Sequence, residues 1–406
     1  MKKILLLALA ALGFAACGEM LGPLDELPRE LTVAERTVIS SANEFGLNLF
    51  GRLIAAEPSE NVVFSPLSAY MALGMTSNGA VGETLAGMRS TLRQSRLTEE
   101  EANQAYRGLL DLFLGLDSGV QFDIASSIWY RLGLQVRSEF VNLSKTVFDA
   151  EVAELDFLDP SAPTTINAWV ESRTNGRIRE LVDELTEQDM MLLINATYFK
   201  GTWQDQFDPR QTRDLGFQLL DGSLVEVPTM TRREVEILRH QETVEFEAAE
   251  LLYGRGAYVM TILLPPEGTS PTDLMAGVDA GTWGRWMDGF QETSARSVVQ
   301  LPKFKLEWEK LLNDDLIAMG MGAAFHDADF SRLAEGGEDF FISKVKQKAF
   351  IEVNEEGTEA AAATSVNVAV RASPGFRATR PFIFAIRERF SGLLLFIGQL
   401  VDPSAE

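Results

Sequence analysis

The chain has 406 residues, 46% of them hydrophobic, with 36 Lys and Arg against 59 Asp and Glu for a formal net charge of −23. That much apolar material supports a large core in one elaborate domain or two ordinary ones, which excludes a disordered tail. A charge of this sign repels nucleic acid and anionic surfaces, so no nucleic-acid partner is expected and the acidity is expected to serve solubility.

At the N-terminus, Lys2 and Lys3 precede the apolar run Ile4 to Leu12, and "LGFAAC" ends at Cys17. A short positive region followed by an apolar stretch of this length reads as a secretion signal, too short to span a bilayer. Ala15 and Ala16 before Cys17 resemble a bacterial lipoprotein cleavage site, with Phe14 where leucine is usual; an ordinary secretory signal is the competing reading. The expected boundaries are a signal peptide over 1–16, a polar tether over 17–31 carrying Pro23 and Pro28, and one folded domain over 32–406. Lipid on Cys17 would hold the domain to a membrane outside the cytoplasm, in the periplasm or at the cell surface; without lipid it would be secreted. Cys17 is the only cysteine, so no intramolecular disulfide can form.

From Thr32, apolar residues at three- and four-residue spacing, with Glu35 three positions on, predict a capped amphipathic helix. Next, "NVVFSPLSAYMALGMTSNGAVGETLAGM" predicts a short strand, a helix opening at Ser65-Pro66 and a stop at Asn78-Gly79. Helices are expected over 99–115 and 138–146, with the strand "FDIASSIWYR" between them. Beyond about position 190, "MLLINATYFKGTW", "EVPTMTR", "AYVMTILLPP", "SVVQLPKFKLEW", "QKAFIEV" and "PFIFAIRE" read as strands. Helices gathered first and strands second describe a large α+β domain with mainly antiparallel sheets.

Catalytic chemistry finds little support. His240 and His326 are the only histidines, whereas a Ser-His-Asp or Cys-His mechanism needs an imidazole beside its nucleophile. There is no Gly-x-Ser-x-Gly elbow and no His-Glu-x-x-His, and Gly320 and Gly322 of "MGMGAA" lack phosphate-loop spacing. No metal and no cofactor are expected. Asn195 opens an "NAT" glycosylation sequon but lies inside an apolar strand pattern, which argues against its use.

The stretch "EEGTEAAAATSVNVAVR", Glu355 to Arg371, has a sharper logic. Thr358, Ala360, Ala362, Thr364, Val366, Val368 and Val370 alternate with Glu359, Ala361, Ala363, Ser365, Asn367, Ala369 and Arg371. In an extended strand the two sets face opposite ways, the first small or β-branched and the second small or polar. The pattern describes a strand, yet it runs into "ASPGFR", which belongs on the surface. Periodicity alone leaves an edge strand or an Ala-rich loop equally open.

Several segments in order, "NVVFSPLSAYMALGMTSNGAVGETLAGM", "NAWVESRTNGRIRELV", "LLINATYFKGTWQDQF", "LPKFKLEWE", "FIEVNEEGTEAAAAT" and "RPFIFAIRERFSGLLLFIGQLVDP", resemble the serpin family from about Thr32 to Pro403. The resemblance implies an α+β serpin fold: three mainly antiparallel β-sheets, eight or nine helices and an exposed reactive loop. It implies a metastable inhibitor whose loop, once cut by a serine protease, inserts as a strand into the central sheet. Family spacing places the reactive bond at Arg371-Ala372, suited to a trypsin-like protease, with an elastase-like protease using Val370 as the alternative. The hinge would comprise Glu356, Gly357, Thr358, Glu359, Ala360, Ala361, Ala362 and Ala363. Ser65, Ser68, Asn195 and Trp203 match positions where the central sheet opens, and Gln347 stands where many members have histidine, so no histidine-type pH trigger is expected there. Arg89, Arg93 and Arg96 are followed by "TEEE", so no heparin site is expected. A monomer is expected, and a noninhibitory binding or structural member of the family is the rival reading.

Overall fold

The computed structural model describes residues 22–235, 238–293, 297–358 and 375–405. The segment expected to be a tether is fastened to the folded body throughout its described part. The Leu24 N–H donates to the Arg255 carbonyl at 2.7 Å, Arg389 Nη2 to the Leu24 carbonyl at 2.6 Å, and Arg255 Nε to the Gly22 carbonyl at 2.8 Å. Leu24, Leu27 and Leu31 add apolar contact with the core, which explains why a Pro-bearing polar stretch without a period is held in place. Cys17 and residues 1–16 lie outside the described residues.

Thr32 then caps α1 (Val33–Ala56): its hydroxyl accepts the Glu35 N–H, and the Glu35 carboxylate accepts the Thr32 N–H. Val38, Ala42, Phe45, Leu49 and Leu53 form its buried stripe. After β1 (Val62–Phe64), α2 (Pro66–Ser77) starts at the expected proline and is buried on every side. It is followed by α3 (Gly82–Thr91), α4 (Glu99–Phe113), β2 (Val120–Arg131), α5 (Ser138–Phe148), β3 (Glu151–Leu155), α6 (Ala162–Arg173) and β4 (Met191–Thr202). The second half contributes β5 (Arg213–Gln218), β6 (Leu224–Val235), β7 (Leu238–Glu242), β8 (Glu247–Tyr253) and β9 (Tyr258–Leu264). Then come α7 (Pro271–Met275), α8 (Ala280–Asp288), β10 (Gln291–Thr293), β11 (Ser297–Pro302), β12 (Phe304–Leu311) and α9 (Asn313–Leu316). The chain closes with β13 (Lys344–Val353), β14 (Gly357–Thr358), β15 (Gly375–Arg377), β16 (Phe382–Glu388) and β17 (Leu394–Leu400).

Three sheets result, with strand orders β1-β17-β16-β9-β8-β7-β10, β15-β11-β6-β5 and β12-β13-β14-β4-β2-β3. Most pairings are antiparallel; β13 with β4, β2 with β3, and β11 with β15 are parallel. "SVVQLPKFKLEW" is two strands in two sheets, because the chain turns at Pro302-Lys303, where the Lys303 N–H bonds the Pro228 carbonyl at 2.8 Å. Strand β4 has two buried faces: Met191, Leu193 and Phe199 point into the main core, while Leu192, Ile194 and Ala196 join a second cluster. That cluster is completed by Ile166 and Val170 of α6 and by Ile178, Leu181 and Val182 of the α6–β4 connection. Burial on both faces accounts for the continuous apolar run "MLLINATYF".

Glu35 is almost wholly buried and receives both Nη groups of Arg29, at 2.8 and 2.6 Å. The Arg29 bond holds its carboxyl below the usual value, against the opposing effect of burial. A depressed folded-state pKa stabilises fully above the unfolded value, and that contribution fades as pH falls through the folded one. Arg29→Ala is therefore expected to cost about 1–2 kcal/mol at neutral pH, after allowance for the exposed guanidinium. Urea unfolding should show the gap between the two proteins closing toward about pH 3, below the carboxylate range; a gap independent of pH would contradict the assignment.

Candidate functional site at the head of the central sheet

Strands β13 and β4 pair directly and in parallel from Lys344 opposite Leu192 to Phe350 opposite Tyr198. Beyond Phe350 they part. The chain leaving β13 turns through Asn354–Glu356 and re-enters the gap as β14, antiparallel to both neighbours: Thr358 pairs with Val353 and Gly201, and Gly357 with Thr202. The turn is closed by the Asn354 N–H on the Gly357 carbonyl, at 2.8 Å, and by the Glu356 N–H on Asn354 Oδ1, at 3.1 Å. Only glycine fits at position 357, since a Cβ there would stand 1.9 Å from the Gly201 carbonyl oxygen.

Thr358 is 1% exposed, and its hydroxyl shares a 2.9 Å hydrogen bond with the Tyr253 hydroxyl of β8. Burial pushes the Tyr253 phenol far above its ordinary value, so it is a neutral hydroxyl at any physiological pH. Its ring stacks on Trp203, with centroids 4.3 Å apart and planes at 14°. Trp203 in turn donates from Nε1 to the Asn354 carbonyl at 2.8 Å and from its backbone N–H to the Glu356 carbonyl at 2.8 Å. The buried Glu355 carboxylate accepts from Thr212 Oγ1 at 2.7 Å and pairs with Lys303 Nζ at 2.9 Å. Burial opposes its ionisation, but these two partners outweigh burial and hold its pKa below the ordinary value. Glu356 is exposed. Of the expected hinge, Glu356, Gly357 and Thr358 are thus placed in the head of the sheet, whereas Glu359 to Ala363 and the bond Arg371-Ala372 lie outside the described residues.

Lower in the sheet, the other expected residues meet. Gln347 of β13, Asn195 of β4 and Ser126 of β2 stand side by side in register. Gln347 Nε2 donates to Asn195 Oδ1 across the β13–β4 seam at 2.8 Å and to the Ser65 carbonyl at 3.1 Å. Asn195 Nδ2 donates to Ser126 Oγ and to the Ser68 carbonyl, each at 3.2 Å, and Ser65 Oγ donates to the Leu395 carbonyl at 2.7 Å. The row is buried and wholly neutral, and the side-chain hydroxyls of Ser68 and Thr197 beside it have no partner among the described residues. Asn195 is therefore enclosed, as its strand pattern implied.

The seam is also crossed from outside by the α6–β4 connection. Lys344, Lys346 and Lys348, alternate residues of β13, donate to the carbonyls of Glu184, Leu181 and Glu180 at 3.5, 2.8 and 2.6 Å. Their charges are met by Asp189, Glu309 and Glu307, each within 2.9 Å. Ile178, Leu181 and Val182 meanwhile pack against the β4 side of the same seam. Sequence reading missed this strap: the alternation "KVKQK" is visible, but its partners lie about 160 residues earlier. It also missed Tyr253 and the Glu355–Lys303–Thr212 cluster, for which no local signal exists. His240 contacts Glu247 at 3.2 Å and His326 is exposed; neither lies at this site.

A family profile described as "Serpin (serine protease inhibitor)" matches residues 40–403. The bovine (Bos taurus) protein "Serpin A3-3" is 31% identical, the match covering 93% of this chain and 94% of that one. An uncharacterized serpin-like protein of Thermococcus kodakarensis, TK1782, is 34% identical over 91% of this chain and 86% of its own length. Among solved structures, the thermophilic serpin tengpin in its native state superposes with a TM-score of 0.82 at 29% identity, covering 94% of this chain and 97% of that one. Thyroxine-binding globulin in complex with thyroxine gives 0.83 at 28% identity, covering 90% and 99%. With the profile spanning nearly the whole described chain and the three-sheet architecture shared, this chain belongs to the serpin family of serine protease inhibitors.

Proposed function

We propose that this serpin is a suicide-substrate inhibitor of trypsin-like serine proteases, acting through the bond between Arg371 and Ala372. The observation that carries this reading is Gly357-Thr358, lodged between β13 and β4 and antiparallel to both. Continued downward after cleavage, that register would set Ala360 opposite Phe199 and Ile351, Ala362 opposite Thr197 and Ala349, and Thr364 between Asn195 and Gln347. With the Thr358 side chain buried, an inserted strand of the same parity would turn its small and β-branched set to the core and its polar set to the strap. Thr364 then brings a hydroxyl to the polar row at the level where the Gln347–Asn195 bond must open.

In the chemistry proposed, the protease serine hydroxyl attacks the Arg371 carbonyl and the C–N bond to Ala372 breaks. The Ala372 amine leaves with a proton, and Arg371 remains as an ester on the protease serine. Arg371 would occupy the acidic specificity pocket of a trypsin-like enzyme. Insertion of the freed segment must outrun hydrolysis of that ester, so the small residues after Gly357 act on a rate. Fully extended, the seventeen residues from Glu355 to Arg371 span roughly 55 Å, enough to carry the bound protease along the sheet.

Lipid attachment at Cys17 is part of the same proposal. Five residue steps separate Cys17 from Gly22, a reach of at most about 18 Å. Gly22 is bonded to Arg255, and the neighbouring Gly254 N–H bonds the Thr202 carbonyl beside Gly357. A lipid there would hold the loop-bearing end of the domain close to the bilayer, where proteases working at a membrane surface are met first.

Mixing the protein with trypsin is expected to give a complex that survives denaturant, and Arg371→Ala is expected to abolish it; clean cleavage without a complex would overturn the inhibitor reading. Thr358→Arg would put a guanidinium into the buried place where Thr358 now bonds Tyr253, so holding this first pair in the sheet, from which further insertion must start, would cost several kcal/mol. Gel analysis should show that variant cut at Arg371 with little complex formed. Full inhibition by Thr358→Arg would remove the hinge from the account.

A further inference from the structure

Asp117, in the connection from α4 to β2, is a carboxylate only 1% exposed. Among the described residues its partners are backbone N–H groups alone. That of Gly119 donates to Oδ1 at 2.9 Å, while those of Arg255 and Ala257 donate to Oδ2 at 2.7 and 3.4 Å. The two oxygens thus hold two different sheets. Gly119 immediately precedes β2 of the central sheet, whereas Arg255 and Ala257 lie in the β8–β9 turn of the seven-stranded sheet.

That turn reaches the place where Gly357 and Thr358 sit. The Gly254 N–H donates to the Thr202 carbonyl at 2.7 Å, the Thr202 N–H donates to the Gly119 carbonyl at 3.1 Å, and Trp203 and Tyr253 are bridge partners. Thr202 is the residue of β4 opposite Gly357, and Tyr253 carries the hydroxyl bonded to Thr358. The packing around the carboxylate leaves no slack, since a Cβ at Gly254 would stand 2.4 Å from Asp117 Oδ1. The carbonyls of the same turn are held from elsewhere, that of Arg255 by the Leu24 N–H at 2.7 Å and that of Ala257 by the Arg389 N–H at 2.8 Å. Asp117 is what joins the turn's N–H groups to the central sheet.

A buried carboxylate without a cation beside it is costly, so shape alone does not explain an aspartate here. An amide of the same shape has one accepting oxygen and would turn its NH2 toward N–H donors on the other side, whereas a carboxylate accepts on both. We infer that Asp117 is a positioning residue for loop insertion: it fixes the head of β4 and the Tyr253 hydroxyl relative to each other, so that the place taken by Thr358 keeps its width while the strands below it part. The inference rests on the inhibitor reading proposed above. Asp117 touches neither the reactive bond nor the protease; it acts through Thr202 and Tyr253 on the rate of the step that competes with ester hydrolysis.

Asp117→Asn in the full chain tests this with two readouts. Hydrogen exchange over 199–203 and 356–358 should run about tenfold or more faster in the variant than in the parent. With trypsin, the ratio of cleaved to trapped chain, which is the hydrolysis rate over the insertion rate, should rise about fivefold or more, while the rate of first attack at Arg371 stays the same. Ser270→Ala, which removes the cap of α7 beyond the far end of β9, should lower the melting temperature without moving either readout. Unchanged exchange or an unchanged ratio in Asp117→Asn, or an equal rise in Ser270→Ala, would overturn the positioning role. A parent chain that traps no trypsin would instead overturn the inhibitor reading, and the exchange would still decide whether Asp117 fixes the place of Thr358.

Discussion

The parallel pairing of β13 with β4 is the constraint on which the C-terminal third of the chain depends. Elsewhere this sheet mostly alternates in direction, but at the seam two strands run the same way, held by the slanted bonds of a parallel ladder. A strand running the other way can enter between them without either neighbour reversing, and it replaces one parallel pairing by two antiparallel ones. Gly357 and Thr358 already occupy that relation at the head of the seam. What resists further entry is visible: the Gln347–Asn195 bond across the seam, and the lysine-held strap lying over it.

Those two obstacles differ in kind. The polar row is neutral and buried, so its bonds are strong only while each member keeps its partner, and opening it exposes amides that need a new acceptor or donor at once. The strap combines ion pairs on the β13 side with apolar packing on the β4 side, so it spans the place where the strands must separate. A barrier made of neutral groups and well-satisfied lysines is expected to vary little across physiological pH, in keeping with glutamine at position 347.

Much of this was legible in the sequence, for identifiable reasons. Thr32 and Glu35 announced a capping box because capping is local, and Pro66 marked a helix start for the same reason. The alternation after Thr358 marked a strand out of place, but its parity and register became readable only when the Tyr253 hydroxyl and the Gly201–Thr202 backbone stood on either side. "SVVQLPKFKLEW" read as one strand because periodicity does not register a change of sheet at Pro302. Helix α8 went unread although Trp283 and Trp286 are three apart, since Gly281 and Gly284 blur its pattern and packing against Phe246 supplies what propensity lacks. The Pro-bearing segment before Thr32 looked free because nothing local shows that Arg255 and Arg389 will hold it.

The central claim is that the intact chain holds back a strand for which its sheet already has a place. Cutting the chain after Arg371 and comparing thermal unfolding of the cut and intact proteins tests this most directly. Insertion should raise the unfolding midpoint by about 10 °C or more, through new ladder bonds on both sides of the entering strand. A cut chain that unfolds at or below the temperature of the intact one would contradict the account.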